Sequence, residues 1–274
     1  MSQIQALERG SVAGWVGDVH AVLVRNLLQL RRSPEIMVFS VMQPVMFVLL
    51  FTQVYGGAVR VQGSDYTQFL MAGVFGQTIV FGTMISGIYM AEDLKEGIID
   101  RFRTLPMAPS AILMARTLAD LAVAACSVFV MLIAGFIVGW RFQAGVGNFL
   151  FGVLLLLVTA WCFSWVMLLL GVAVSKPQSV NSAGMIVLFP ASFVSNAFVP
   201  SETLPDWLRG IAEWNPLSSL VQAVRTLFGN LGTAAVPDVW SLQNPVAATA
   251  IAWVLLLAIF PALTVAVFRR RVAR

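Results

Sequence analysis

Chemistry-bearing side chains are scarce in this chain: among 274 residues there is one histidine, His20, and only two cysteines, Cys126 and Cys162. His20 lies in an amphipathic segment ahead of the apolar runs, so no histidine is available for a serine-type site inside the membrane, and one histidine gives no cluster of ligands for a metal. Both cysteines sit within apolar runs, which suits structural thiols better than a disulfide or metal ligands. Among the acids, Asp120 alone falls inside a long apolar stretch, so the paired aspartates of a membrane aspartyl protease are missing. No catalytic residues and no metal site are predicted, and the chain is not expected to be an enzyme. Lysine is nearly absent as well. Lys95 and Lys176 follow Leu94 and Ser175 rather than a glycine, so no phosphate-binding loop of the G-x-x-x-x-G-K-[ST] kind exists, and no nucleotide cofactor is expected on this chain. The first twenty residues, interrupted by Glu8, Asp18 and His20, contain no continuous apolar core and no small-residue cleavage site; no cleaved leader is expected.

Charge is also sparse: 11% of residues are charged and 59% are hydrophobic. Soluble domains carry about 25% charged residues, so the composition is that of an integral membrane protein, with nothing to suggest nucleic-acid binding. A hydrocarbon layer of roughly 30 Å takes about 20 apolar residues in a helix. Six stretches qualify: 36–58, 69–91, 118–140, 149–174, 183–199 and 246–268. The fifth contains Pro190 and ends in Ser195-Asn196, so it is the weakest. The sequence therefore predicts an all-α membrane protein with six transmembrane helices and both termini on one side.

The basic residues orient it. Thirteen lie on the side of the termini: Arg9, Arg25, Arg31, Arg32, Lys95, Arg101, Arg103, Arg116, Lys176, Arg269, Arg270, Arg271 and Arg274. Four lie on the other: Arg60, Arg141, Arg209 and Arg225. The positive-inside rule then puts the termini in the cytoplasm, with a multi-pass arrangement in a plasma membrane. Before the first span, Val16, Val19, Leu23, Leu27 and Leu30 recur at helical spacing opposite Asp18, Arg25, Gln29 and Arg32. That pattern predicts an amphipathic helix in the interface, its arginines toward anionic lipid headgroups, with an ordinary helix end packed on the bundle as the alternative. Between the fifth and sixth spans, Pro205-Asp206 starts a short helix carrying Trp207 and Trp214, and Asn215-Pro216 breaks it before a second. Both short helices are expected at the outer interface.

One stretch is out of keeping with the rest. In "AEDLKEGIIDRFRTLPMAPSAILMARTLADL", seven of the twelve residues from Glu92 to Arg103 are charged, between two apolar spans. Each charge would cost several kcal/mol at depth, so the segment must emerge into the cytoplasm. Gly97 permits close backbone approach, Pro106 ends a short helix, and Pro109-Ser110 is expected to cap the next. Two readings stand: a rigid lever on which a partner acts, or a solvated loop that sets topology. Arg116 and Asp120, one turn apart, are expected to pair. Polar groups in the apolar helices (Gln43, Gln53, Gln77, Ser86, Tyr89, Asn181, Ser195 and Asn196) could line a path for an amphipathic molecule or bond between helices. Gly73, Gly76, Gly82, Gly87, Gly135 and Gly139 suit close helix packing, including at a seam between copies.

The stretch "EGIIDRFRTLPMAPSAILMARTLADL", followed later by "SNAFVPSETLPDWLRGIAEWNPLSSLVQAVRTL", resembles ABC-2 type exporter permeases, especially the daunorubicin-resistance type of drug and lipid exporter subunit. The resemblance divides the chain into a cytoplasmic segment with an elbow helix, 1–34, and a transmembrane domain, 35–274. It implies two permease subunits, the second a copy or a similar chain, and two cytoplasmic ATPase subunits that hold ATP and Mg. By the same resemblance Glu92, Glu96, Gly97, Arg101, Arg103 and Pro106 belong to the ATPase-coupling segment, and Trp207, Trp214, Asn215 and Pro216 to re-entrant helices at the outer mouth. The expected activity is outward movement of an amphipathic drug or lipid across a bacterial plasma membrane. An ion-coupled transporter working alone, or a scaffold that recruits a cytoplasmic protein without transport, are the alternatives.

Overall fold

The computed structural model describes residues 12–32, 34–55, 65–99, 107–174, 176–232 and 236–272, and among them all regular structure is helical. The helices are α1 (Val12–Arg32), α2 (Pro34–Tyr55), α3 (Tyr66–Gly82), α4 (Met84–Lys95), α5 (Pro109–Val138), α6 (Val146–Ala173), α7 (Pro177–Phe193), α8 (Asp206–Trp214), α9 (Pro216–Phe228), α10 (Trp240–Gln243) and α11 (Pro245–Val272), with a 3₁₀ turn at Ser201–Thr203. Four stretches are long and apolar enough to cross a bilayer: α3 with α4 as Tyr66–Lys95, then Pro109–Val138, Val146–Ala173 and Pro245–Arg271. In their most apolar windows α3–α4 is 83% buried and α11 only 11%, so α3–α4 is the axis of the bundle and α11 its outer wall.

Apolar spacing explains the seat of α1. Its Val19 and Val22 pack on Ala111 and Ala115 of α5, and Leu30 reaches Tyr89 and Val123. Trp15 Nε1 donates to Ser110 Oγ at 3.2 Å, so Ser110 serves α1 rather than capping α5. Ala108 takes the N-cap position with no side-chain bond, and Pro109 stands at the start of the helix, where its missing N–H costs nothing.

Around α3 the core is aromatic: the rings of Phe75, Trp140 and Phe228 meet edge to face at centroid separations of 5.7, 5.8 and 5.3 Å. At Thr83 the helix tightens. The Thr83 hydroxyl donates back to Val80 O at 2.6 Å, and α4 starts on a new run of bonds. Beyond the joint, α4 presses on α6 with no room for a side chain: a Cβ on Gly171 would come within 2.3 Å of Gly87 O, and one on Gly87 within 2.4 Å of Met167 O. Of the other glycines expected to pack helices, Gly82 meets nothing within 4 Å, and Gly139 ends α5 in the left-handed conformation.

The fifth predicted span is different in form. Its helix, α7, starts earlier, at Pro177, and ends at Phe193 after 17 residues, while 194–199 run as irregular backbone. Pro190 removes one ladder bond, and the Asn215 amide takes the carbonyls of Ala191 and Val194 at 2.6 and 2.7 Å, diverting the chain from helix. At 1.5 Å per residue α7 is about 26 Å long, short of a full crossing. The first predicted span runs past the end of α2 into 56–58, outside the described residues.

Candidate functional site

Where α2, the α3–α4 joint and α7 face one another they leave a cavity of about 400 Å³. Gln43, Pro44 and Phe47 come from α2, Gln77, Thr78, Phe81 and Gly82 from α3, Met84, Ile85 and Ile88 from α4, and Asn181 and Met185 from α7. The walls are mainly apolar, but three carboxamides break them. Gln77 is buried at 6% exposure, whereas Gln43 and Asn181 lie exposed at the rim. None of the three side chains has a hydrogen-bond partner among the described residues; Thr78, by contrast, donates to Val74 O at 2.7 Å. All three amides open onto the cavity or its rim, so whatever fills it can meet their donors and acceptors.

The other residues predicted for a path lie elsewhere. Gln53 is exposed near the far end of α2. Tyr89 is buried with its ring 4.5 Å below the Arg116 guanidinium. Arg116 and Asp120 do pair, Nε to Oδ1 at 3.7 Å, both nearly inaccessible. Ser195 and Asn196 belong to a polar knot at the end of the bundle away from α1.

That knot centres on Arg225, which is 2% exposed. Its Nε donates to Phe69 O at 3.3 Å, Nη1 to Gln222 Oε1 at 3.2 Å and Nη2 to Asn196 O at 3.1 Å, with the guanidinium 3.6 Å from the Phe69 ring centroid. No carboxylate pairs with it among the described residues, so neutral acceptors and a π face hold the charge. The backbone N–H of Asn196 donates to Ser218 Oγ at 3.0 Å, and its Nδ2 donates to Gln222 Oε1 at 3.3 Å. Asn215 joins two helix ends, taking the last carbonyls of α7 with its Nδ2 and capping α9 by accepting from Leu217 N at 2.9 Å. Asn230 ties the end of α9 to α3 and to the turn after α5: its Oδ1 accepts from Trp140 Nε1 at 2.9 Å, and its Nδ2 donates to Gln68 Oε1 at 3.0 Å and Arg141 O at 2.9 Å. Around the Asn215-Pro216 junction, Trp207 and Trp214 stand 73% and 63% exposed, as interfacial tryptophans do. Sequence reasoning used Arg225 only as a topology marker; the available signal was a basic residue with Gln222 one turn before it in an otherwise apolar helix.

At the α1 end, Arg25 grips Asp93 with two bonds, Nη1 to Oδ2 at 3.0 Å and Nη2 to Oδ1 at 2.8 Å. This fork joins α1 to α4 and was not foreseen. Glu92 is half-buried beside it and Glu96 is exposed. Gly97 turns the chain at φ 69°, which a side chain would oppose, and Ile99 is buried against Ile112, Leu113 and Phe268. Arg271 of α11 donates to the terminal carbonyls of α6 at Val172 and, at 2.9 Å, Val174. Arg101, Arg103 and Pro106 lie outside the described residues. No cluster of histidine, cysteine, aspartate or glutamate suited to a metal occurs among the described residues.

Residues 18–228 match the family model described as ABC-2 type transporter. The chain is 34% identical over 236 residues, 86% of its length and 83% of the relative's, to the daunorubicin resistance ABC transporter permease protein DrrB1 of Streptomyces coeruleorubidus. It is 25% identical over 222 residues, 81% and 77% of the two chains, to the doxorubicin resistance ABC transporter permease protein DrrB of Mycobacterium tuberculosis. A third relative is the putative transport permease ycf38 of Porphyra purpurea, 25% identical over 221 residues, 78% and 75% of the two lengths.

Proposed function

The chain belongs to the ABC-2 type transporter family, and on that premise we propose that it is the membrane subunit of an ATP-driven exporter that moves an amphipathic drug or lipid outward across a bacterial plasma membrane. The observation that carries this reading is the cavity between α2, α3, α4 and α7, apolar in the main but with three carboxamides that have no hydrogen-bond partner among the described residues. An amphiphile has both halves of what that wall lacks. Two relatives are named for resistance to drugs, which supports a cargo of that kind.

In the proposed complex two permeases enclose the path, each joined to a cytoplasmic ATPase subunit that holds ATP and Mg. Both termini face the cytoplasm, α2 and α7 complete a set of six spans, the short α7 being extended by the irregular backbone of 194–199, and α8 and α9 dip into the outer leaflet as re-entrant helices. The segment around Glu92, Glu96, Gly97, Arg101, Arg103 and Pro106 docks on the ATPase. Closure of the ATPase dimer displaces this segment, and α4 transmits the displacement. Because Arg25–Asp93 joins α4 to α1 and Gly87–Gly171 seats it on α6, these helices shift as one body. Thr83 is the joint that lets α4 tilt while α3 stays anchored to the knot at Arg225. The cavity floor at Gly82 and Met84 lies at that joint, so its accessible side changes with the tilt.

The test is co-purification followed by reconstitution. A stoichiometric ATPase subunit should be recovered with the permease, and Glu96→Lys or Arg101→Glu should leave ATP hydrolysis running while transport falls by at least about tenfold. Undiminished transport in both variants at equal expression would remove the ATPase from this surface. Transport that stops on dissipating the proton gradient, with ATP present, would point to an ion-coupled carrier instead.

A further inference from the structure

Resting on the export reading and its topology, a row of rings at one end of the cavity marks the outlet of the path. Phe47, which lines the cavity from α2, lies 5.6 Å from Phe51 one turn further along the helix and 6.4 Å from Phe198, ring centroid to ring centroid. Phe51 and Phe198 stack at 5.1 Å. From Phe198 the row continues onto α7, to Phe193 at 5.2 Å and from there to Phe189 at 4.4 Å. Phe198 is thus a ring that meets both helices, while its backbone belongs to neither. Phe198 O accepts from the Tyr66 hydroxyl at 3.3 Å, Gly73 of α3 abuts the Ala197 carbonyl with no room for a Cβ, and Asn196 O takes Arg225 Nη2. The irregular chain at 196–198 is therefore fixed to α3 and α9, and the rings of α2 and α7 lean on it.

Place in the helices gives the rings a role. The exposed rim amides, Gln43 and Asn181, come one turn before Phe47 on α2 and about two turns before Phe189 on α7. The rim therefore lies toward the starts of both helices, and the rings close the side toward their ends. On the proposed topology those ends are the outer ones. Among the described residues no hydrogen bond joins α2 to α7, and each ring pair is weak by itself, so parting the rings strands no buried polar group. The α4 wall is held differently, by Arg25–Asp93 to α1 and by the Gly87–Gly171 contact to α6. We infer that Phe47, Phe51, Phe198 and Phe193 shut the outer end of the path, and that cargo leaves between α2 and α7 by drawing their rings away from Phe198, the positioning residue on which both helices close.

The test reads access to the cavity in right-side-out vesicles holding the complete permease–ATPase complex. Cys126 and Cys162 are replaced by serine, and Met84→Cys on the cavity floor is the one thiol left on the permease. A membrane-impermeant sulfonated maleimide is added outside, and the labelled permease is resolved by electrophoresis. Labelling should be slow without nucleotide, and a non-hydrolysable ATP analogue loaded inside should speed it by at least about tenfold. Phe198→Ala should label about tenfold faster with no nucleotide; should that variant fail to assemble, Phe193→Ala, whose ring is partly exposed, serves instead. Phe142→Ala removes a stack of the same kind, on Phe149 at 4.6 Å and outside the cavity lining, and should leave labelling slow. Fast labelling of the unaltered rings without nucleotide, slow labelling in both Phe198→Ala and Phe193→Ala, or equal acceleration by Phe142→Ala would overturn the closure while export keeps its own test in transport. Ring variants that open access while the analogue does nothing would keep the closure and remove ATP as its driver, which is the failure of the export reading. Labelling that depends on Phe198 in inside-out vesicles alone would overturn the outer placement and the proposed topology together.

Discussion

Asn215 uses a single carboxamide to close two helices, its Nδ2 on the carbonyls of Ala191 and Val194 and its Oδ1 on Leu217 N. Replacing it with alanine removes a cap and leaves two carbonyls unmet, so Asn215→Ala should cost about 2–3 kcal/mol, read as a lower midpoint in thermal unfolding in detergent followed by tryptophan fluorescence. Arg225 makes a sharper case. Its fork reaches Phe69 O, Gln222 Oε1 and Asn196 O in three directions while lying on the Phe69 ring. A lysine keeps the charge but is a point donor without a planar face, and in this neutral pocket it would be poorly satisfied. Arg225→Lys should therefore destabilise by on the order of 2–3 kcal/mol in the same assay, whereas Arg209→Lys, 39% exposed at its side chain, should change it little. The contrast separates the role of guanidinium shape from that of charge.

Among the elements, the long helices were legible because length and hydropathy are local properties: a run of some 20 apolar residues must be satisfied within itself in lipid. That α1 is an amphipathic helix was legible from its apolar stripe, but its seat on α5 and α4 was not: Val16 and Leu27 of the stripe stay exposed, and Arg25 turns to Asp93 rather than outward. The Asn215-Pro216 break reads directly from turn chemistry, and the short helices begin and end where it predicts. The end of α7 was not so readable, because what stops it is Asn215, which lies more than twenty residues downstream. Residues of the path divide for the same reason. Gln43 and Gln77 meet at the cavity, while Tyr89 turns toward Arg116 and Asn196 toward Ser218 and Gln222. Residue type marks them all as polar in lipid, but only packing decides which of them find a protein partner. The contact between α4 and α6 gives a direct test. Gly171→Ala would drive a methyl into Gly87 O and should cost about 1–3 kcal/mol and slow transport, while Gly82→Ala, with nothing within 4 Å, should leave stability unchanged or slightly raised.

For the whole molecule, the exposed apolar faces have two kinds of neighbour. On α11, Val254 and Leu255 are open at 67% and 56% with no polar residue between them and the lipid they face. The α2–α7 side is mixed: α7 exposes Ile186 at 74% and Val187 at 58%, and the cavity between α2 and α7 has the exposed amides of Gln43 and Asn181 at its rim. Lipid suits the first face and not the second, whose amides require a protein or cargo surface. In the two-permease assembly, Met185→Cys in a background with Cys126 and Cys162 replaced by serine should therefore give a dimer-sized product with a short bifunctional thiol reagent, and Val254→Cys should not. Cross-linking at Val254 alone would place the seam on the opposite wall.

The attachment of α1 carries a consequence for biogenesis. Its partners Asp93 and Ser110 follow Arg25 and Trp15 by 68 and 95 residues, so when α1 leaves the ribosome neither yet exists. At ordinary translation speeds the wait for Ser110 is roughly 5–20 s. During that interval α1 must rest on the bilayer by its own apolar stripe, and it becomes part of the bundle only after α2, α3 and α4 have been made and α5 has begun. The last step in seating the N-terminal helix is thus timed by the synthesis of α5.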